Sequence, residues 1–159
     1  MRKHFVLLLV LVLCIGLLSG CSAKETTAPH THEDLTIRLP LDYLDLSEKP
    51  YATEYNFLYG LDPITVCGLR DEKVLFEDHD LHLTLETYGQ LVLQTNGLDS
   101  NLTQTEGFWC FTYEAVGYTF VATLRETEEA FWTVQAYCPT EKYDKASDQM
   151  WEILKSVTV

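Results

Sequence analysis

The chain has 159 residues, of which 47% are hydrophobic and 22% charged, and its formal net charge is −13. This length and apolar content are enough for one domain with a hydrophobic core. The acidic balance argues against nucleic acid as a partner, because phosphates would repel the surface. It also argues against a domain that lies flat on anionic lipid.

The amino-terminal segment has the parts of a secretory signal. Arg2 and Lys3 give a positive start, and residues 5–18 are almost entirely apolar. The apolar run is shorter than the roughly 20 residues of a membrane-spanning helix. Because small residues follow it, the pattern predicts a cleaved signal peptide over residues 1–20.

The end of this segment identifies a class of secreted protein. Leu18, Ser19 and Gly20, followed directly by Cys21, resemble the lipobox of bacterial lipoproteins. The resemblance implies cleavage before Cys21 and a diacylglyceryl group on its thiol, with acyl chains such as palmitate. Each buried methylene contributes about 0.8 kcal/mol, so two chains anchor a protein stably. We therefore expect a lipid anchor on the extracytoplasmic face of the cell membrane. The alternative is an uncleaved signal anchor with a chance cysteine.

The charge of the mature chain is more negative than that of the precursor. Arg2 and Lys3 leave with the signal, so nine basic and 24 acidic residues remain and the formal charge is −15. Such a surface favours basic partners or cations, or it serves only to keep a secreted domain soluble.

We expect residues 21–34 to consist of the lipidated Cys21 and a flexible tether. Residues 22–34 contain no large aliphatic side chain that could join a core. His30 and His32, beside Glu33 and Asp34, could chelate zinc or copper. The alternative is a solvated linker, because ordering a tether costs conformational entropy.

The predicted domain covers residues 35–159 and begins with strands. Leu35 to Leu39 alternates apolar and polar residues, and Pro40 ends it. Residues 55–59 and 64–69 predict two more strands around a turn at 60–63. Residues 70–80 predict a charged loop.

A helix follows from Leu85 to about Gln94, with Thr84 as its N-cap. Gly89 weakens this helix by about 1 kcal/mol relative to Ala. Residues 108–114, 118–125 and 130–138 then predict a three-stranded meander with a turn at Val116 and Gly117. A terminal helix, capped by Thr140, runs to about Lys155.

Several local sequences accompany this order of elements. They are Leu39-Pro40 after the first strand, a Tyr- and Leu-bearing helix that ends in Asn-Gly, Ala130-Phe131-Trp132 opening a strand that closes with Tyr137-Cys138-Pro139, and Leu154-Lys155-Ser156 at the end of the last helix. Together they resemble the PsbP-like fold. The resemblance implies an α+β domain in which helices pack on an antiparallel sheet of about six strands. It also implies a non-catalytic binding or assembly factor, although a fold by itself names no site.

Three cysteines lie in the domain: Cys67, Cys110 and Cys138. In a simple meander Cys110 lies opposite about Thr123 and Cys138 opposite about Tyr118, which separates this pair by about 17 Å along the strands. A bridge from Cys67 to either partner stays open, and the alternative is three buried thiols.

Two sets of residues are candidate sites. Trp109, Phe111 and Tyr113 share one strand face, which is core if a helix covers it and a partner-binding patch if it is open. His79, Asp80 and His82 form an acidic loop that could bind a cation, although it lacks the pattern of a calcium hand. The alternative for the loop is a charged turn before a helix.

No catalytic motif is present in the sequence. No serine lies in Gly-x-Ser-x-Gly and no Gly-rich phosphate loop occurs. We expect no enzyme activity and no cofactor. The sequence predicts a membrane-anchored lipoprotein that acts as a binding or accessory module for an envelope protein. A lipoprotein that binds a small ligand or a divalent cation through the His79 and His82 loop is the alternative.

Overall fold

A computed structural model of the protein describes residues 26–159. The predicted signal peptide and the lipobox, including Cys21, lie outside the described residues. The strands are β1 (Thr27–His32), β2 (Leu35–Pro40), β3 (Leu44–Asp45), β4 (Phe57–Leu61), β5 (Ile64–Glu72), β6 (Thr103–Thr105), β7 (Phe108–Ala115), β8 (Tyr118–Glu126) and β9 (Ala130–Pro139). The α-helices of this part of the chain are α1 (Lys73–Glu77), α2 (Leu85–Thr95) and α3 (Tyr143–Lys155).

Seven strands form one antiparallel sheet in the order β3-β4-β5-β9-β8-β7-β6. Strands β1 and β2 pair with each other as a separate antiparallel hairpin. The predicted α+β class with an antiparallel sheet is therefore confirmed. The predicted first strand, β2, belongs to the hairpin rather than to the main sheet.

The carboxyl-terminal meander forms as the alternation of its residues predicts. Strands β7, β8 and β9 pair in sequence, with Tyr113 opposite Phe120 and Phe120 opposite Tyr137. The turn between β7 and β8 lies at Val116 and Gly117, which have φ values of 52° and 81°. Positive φ at both central residues is the geometry that matches the twist of a two-residue hairpin.

One face of the sheet, here called the α3 face, is covered by α3 and by the β1–β2 hairpin. Trp132, Val134, Ala136 and Cys138 of β9 are fully buried on it. The hairpin contributes Leu35, Ile37 and Leu39, all at most 1% exposed. Fully burying a large apolar side chain contributes about 1.5–3 kcal/mol, so this cluster is a main source of stability.

Backbone hydrogen bonds join the two elements that cover the α3 face. The Thr36 N–H donates to the Thr158 carbonyl at 2.8 Å, and the Thr158 N–H donates to the Thr36 carbonyl at 2.9 Å. Nearby, the Arg38 N–H donates to the Ser156 hydroxyl at 3.0 Å. The hairpin and the end of the chain after α3 therefore form one continuous cover.

The opposite face, here called the α2 face, is covered by α2 over only part of its area. Tyr88 of α2 stacks on Phe131 of β9 with ring centroids 4.6 Å apart. The helix begins as predicted, because the Thr84 hydroxyl accepts from the Thr87 N–H at 3.2 Å and the Thr87 hydroxyl accepts from the Thr84 N–H at 2.8 Å. Gly89 lets α2 approach the sheet closely, since a Cβ there would lie 2.5 Å from Cδ1 of Leu124.

The prediction of a flexible tether is wrong for residues 27–32, which form the strand β1. Residues 27–32 pair with β2 along their whole length, so the ordered chain begins before residue 35. A strand whose backbone partner is supplied by its neighbour needs no large apolar residues of its own. The polar composition that predicted a tether therefore did not distinguish it from this strand.

Two smaller predictions were also wrong. Lys73–Glu77 forms the short helix α1 inside the predicted charged loop. Thr140 does not cap α3, whose N-cap position is Lys142 without a side-chain cap. The Thr140 hydroxyl instead accepts a hydrogen bond from Thr119 at 3.1 Å, across the end of β8.

The three cysteines of the described residues are free and buried. Cys110 lies opposite Thr123 as predicted, and Cys138 lies opposite Thr119, one position from the prediction. Cys67 packs on the α2 face with Leu58, whereas Cys138 packs on the α3 face. The sheet therefore separates the Cys67 thiol from the Cys138 thiol. Since all three thiols are free and buried, the expectation of three buried thiols is confirmed.

The close contact between β4 and β5 makes a testable prediction. A Cβ atom at Gly68 would lie 2.1 Å from Cε1 of Phe57, whose ring is fully buried against it. Gly68→Ala is therefore expected to destabilise the domain by about 1–3 kcal/mol in urea unfolding. The cost should fall in a Phe57→Leu background, where the ring is absent. An equal cost in both backgrounds would show that the ring is not the cause.

Candidate functional site

The predicted aromatic face lies on the α2 side of the sheet and is partly covered. Phe111 is 2% exposed and packs with Tyr88 and Leu93 of α2. Trp109 and Tyr113 are half-buried at the rim of the same cluster. The structure thus places Phe111 in the core, while Tyr113 continues into an area that α2 does not cover.

Three aromatic rings form a ladder across neighbouring strands in this area, which α2 leaves half-exposed and where Tyr137 also packs beside Ala52 and Cys67. Tyr113 of β7, Phe120 of β8 and Tyr137 of β9 are all half-buried. The ring centroids of Tyr113 and Phe120 are 4.7 Å apart, and those of Phe120 and Tyr137 are 4.8 Å apart. These distances equal the spacing of paired strands, so the register of the sheet builds the ladder. We call these three residues the aromatic ladder.

The hydroxyl groups at the ladder are neutral donors. Burial raises the pKa of Tyr113 and that of Tyr137 to about 12. The Tyr113 hydroxyl donates to Oε1 of Gln135 at 3.0 Å. A protonated tyrosine presents an apolar ring and one hydrogen-bonding group, which is the chemistry of many protein-binding surfaces.

The strands of the sheet place only acidic charged residues on the α2 face. Among the residues that β5, β7, β8 and β9 place on this face, Asp71 and Glu126 are charged and none is basic. Helix α2 contains no Lys or Arg either. Lys73 of α1 lies at the far end and pairs with Glu126 at 2.7 Å. Asp71 and Glu126 both flank Phe131, so a ligand that spans this face meets aromatic rings toward one end and carboxylates toward the other.

Beside the aromatic ladder, a groove of about 250 Å³ separates the end of α2 from the sheet. Its lining includes Asp71, Thr133, Gln135 and Asn96. The Tyr88 hydroxyl donates to Oδ2 of Asp71 at 2.6 Å and lies 3.0 Å from the Thr133 hydroxyl. The groove thus carries polar groups that are already partnered inside the domain.

A wider groove of about 780 Å³ lies on the α3 face, between α3 and the strands β7 and β6, of which β6 is the edge of the sheet. Trp151 and the carboxylates of Asp148 and Glu152 line one wall, and Thr103 and Thr112 lie on the strand side. Sequence reasoning missed this groove, because helix and strand residues that are distant in the chain form it together.

Comparison with known proteins addresses the fold. No protein-family model matches the sequence, and no curated protein matches it. The solution structure of cyanobacterial PsbP (CyanoP) from Synechocystis sp. PCC 6803 is similar, with a TM-score of 0.56 and 11% identity over 91% of this chain and 99% of that chain. The fold is PsbP-like. The crystal structure of LpqN, which is involved in cell envelope biogenesis of Mycobacterium tuberculosis, has a TM-score of 0.45 at 15% identity, over 83% of this chain and 89% of that chain.

The predicted cation loop of the PsbP-like domain is an exposed turn after α1. His79, Asp80 and His82 are all exposed. The backbone N–H groups of His79 and Asp80 donate to the carbonyls of Phe76 and Glu77. Within residues 26–159 no three or more His, Cys, Asp or Glu side chains converge to hold a metal ion. Cation binding by this loop stays a prediction.

His30 and His32 pack against the sheet instead of standing in a linker. The His32 ring stacks on Phe57 with centroids 4.4 Å apart, and its Nε2 lies 3.2 Å from the Tyr59 hydroxyl. His30 contacts the Tyr59 ring, with centroids 4.8 Å apart. Burial lowers the pKa of His32, although the negative charge of Asp45 acts in the opposite direction. The folded domain therefore favours the neutral form of His32.

This preference predicts a pH dependence of stability. Because the pKa of His32 is lower in the folded state than its ordinary value of 6.5, the unfolded chain binds more protons than the folded chain as the pH falls toward 6.5 and below. The free energy of unfolding should therefore decrease as the pH is lowered from 7.5 to 5.5, and His32→Gln should reduce that slope. His79→Gln, which changes an exposed histidine, is the matched control, and His32→Gln should reduce the slope more than this control does. Equal slopes for all three proteins in urea titrations would refute the role of His32.

Proposed function

We propose that the protein is an extracytoplasmic lipoprotein whose PsbP-like domain is a non-catalytic binding or accessory module for another envelope protein. The anchor in this proposal is acylated Cys21, which follows the apolar segment and Leu18, Ser19 and Gly20. Over residues 26–159 no helix has the length and apolar content needed to cross a membrane.

The aromatic ladder is the observation that supports a binding role. Tyrosine is enriched among residues that contribute most to binding, because its ring is large and rigid and its hydroxyl is polar. Tyr113, Phe120 and Tyr137 lie side by side on a part of the α2 face that the domain leaves half-exposed. The mature chain is strongly acidic, with nine basic and 24 acidic residues. We therefore propose a partner with a positively charged surface, which the acidic domain attracts before contact.

The chemistry of the cysteines supports a role without catalysis. A catalytic cysteine needs an accessible thiolate. Cys67, Cys110 and Cys138 are buried, and burial raises the pKa of Cys67 to about 12. The domain's histidines outside the hairpin, His79 and His82, are exposed on a loop.

The anchor is tested by replacing its thiol. Cys21→Ser should move the protein from the detergent phase to the aqueous phase in Triton X-114 partitioning and should remove the lipid mass from the amino-terminal peptide. Cys14→Ser, which changes a cysteine inside the predicted signal peptide, is the control and should change neither. A wild-type amino-terminal peptide without added lipid mass would refute the anchor.

The binding surface is tested with variants that leave the rest of the domain intact. A partner recovered from cells by cross-linking is purified, and its affinity for each variant is measured by calorimetry. Phe120→Ser removes the central ring of the aromatic ladder, and Thr65→Lys places a positive charge opposite Tyr137. Each should weaken binding at least about tenfold, which corresponds to about 1.4 kcal/mol.

The matched control is Tyr51→Ser, because Tyr51 is 64% exposed and lies outside the aromatic ladder. This variant should bind like the wild type. Urea unfolding of each variant establishes that it is folded. Folded Phe120→Ser and Thr65→Lys proteins that bind as tightly as Tyr51→Ser would exclude the aromatic ladder as the binding surface.

A further inference from the structure

Several exposed apolar side chains gather at one end of the sheet. Leu41 is 64% exposed, Leu44 is 65%, Val116 is 97% and Tyr118 is 42%. A monomeric domain gains nothing from leaving such side chains in water, and exposed apolar residues that share a location mark contact sites. We call these four residues the apolar rim.

The pairing of the strands places the apolar rim at a single end. Leu44 lies opposite Gly60, next to the turn that joins β4 to β5. Tyr118 lies opposite Pro139, at the last residue of β9, and Val116 lies in the adjacent turn. Thr65, which follows the β4–β5 turn, pairs with Tyr137, so both turns belong to the same end. Leu44 and Tyr118 are four strand spacings apart in the sheet, about 19 Å, so the rim extends across most of this end.

The hairpin brings the start of the described chain to this end. Its turn lies at the opposite end, because Glu33 contacts Nε of Arg70 at 2.8 Å and Asp34 accepts from the Trp132 indole at 2.8 Å. Arg70 and Trp132 are themselves paired across β5 and β9. The open end of the hairpin is therefore at the apolar rim, where the Leu41 N–H donates to the Thr26 carbonyl at 3.2 Å.

The length of chain before Thr26 limits its distance from the anchor. Five residue steps separate Cys21 from Thr26, which span at most about 18 Å even when fully extended. The end of the domain with the apolar rim is therefore the end that a lipid on Cys21 holds near the bilayer.

We propose that the apolar rim is a membrane-contact surface that enters the interfacial region of the bilayer. This inference rests on the proposed lipid anchor. Tyrosine is enriched at membrane interfaces, where an apolar ring and a polar group are both satisfied. The rim need not bind lipid strongly, because a short tether makes its contact intramolecular and raises the local concentration to about the millimolar range.

The charges at this end favour a neutral lipid surface. Asp42 follows Leu41 directly, and the Asp62 side chain is 90% exposed at the β4–β5 turn. Lys142 pairs with Asp62 at 3.5 Å. Anionic headgroups would be repelled by the net negative charge, so we propose zwitterionic phospholipid as the contacted surface.

Photo-cross-linking to lipid tests the orientation. p-Benzoylphenylalanine is placed at Val116 in the rim or at Val74, which is 50% exposed on α1. Helix α1 follows Glu72, at the opposite end of the sheet, so Val74 is a matched control. In the membrane-anchored protein, lipid adducts at Val116 should exceed those at Val74 by at least about fivefold. Combining Leu41→Ser with Leu44→Ser should lower the yield at Val116, whereas Leu75→Ser on α1 should not.

A second arm separates this inference from the proposed anchor. The mature chain beginning at Cys21 is coupled through that thiol to a maleimide lipid in phosphatidylcholine vesicles, while the other thiols are buried. Preferential adducts at Val116 in these vesicles would support the rim even if the cellular protein carries no lipid. Equal adducts at Val116 and Val74 in the vesicles would overturn it, whatever the state of Cys21 in the cell.

Discussion

The contact between the β1–β2 hairpin and the α3 face is the constraint on which the rest of the structure depends. Arg70 is nearly buried and has Glu33 and Glu72 within 3.1 Å. Asp34 binds the indole of Trp132, the largest side chain of the core. The Glu33 and Glu72 carboxylates are each 57% exposed, so water screens these ion pairs and their contribution to stability is small. Their role is to specify the position of the hairpin. That position completes the hydrophobic core beside α3 and determines where the chain leaves the domain.

The two faces of the sheet are covered to different extents, and this difference creates the candidate site. On the α3 face the hairpin and α3 meet through backbone hydrogen bonds. On the α2 face the helix α2, of 11 residues, packs against a sheet of seven strands, with Phe76 of α1 beside it and Ala52 near Cys67. One helix is about 10–12 Å wide with its side chains, which is little more than two strand spacings. The aromatic ladder lies in the remaining area, where its members protect one another by stacking.

The proposed contacts with membrane and partner are compatible because they use different parts of the domain. The apolar rim is the end of the sheet, whereas the aromatic ladder lies on its face. A bilayer held at the rim would leave the strands roughly upright and the α2 face directed sideways. Tyr118 touches both regions, since its ring contacts Tyr137 edge to face at 5.9 Å. In this arrangement the lipid anchor orients the binding face instead of only retaining the protein at the membrane.

Local patterns in the sequence determined the meander and the start of α2. Alternation over residues 118–125, the Val116-Gly117 turn and the Thr84 cap each act within a few residues, so the chain around them is sufficient to predict them. Strand β1 was missed because its stability comes from β2 and from the Phe57 and Tyr59 rings, not from its own composition. Phe111 was recognised on an apolar face, but its burial depended on how far α2 extends. The aromatic ladder and the apolar rim were decided only by the tertiary structure, because strand register and the direction of the hairpin bring together residues that no sequence spacing relates.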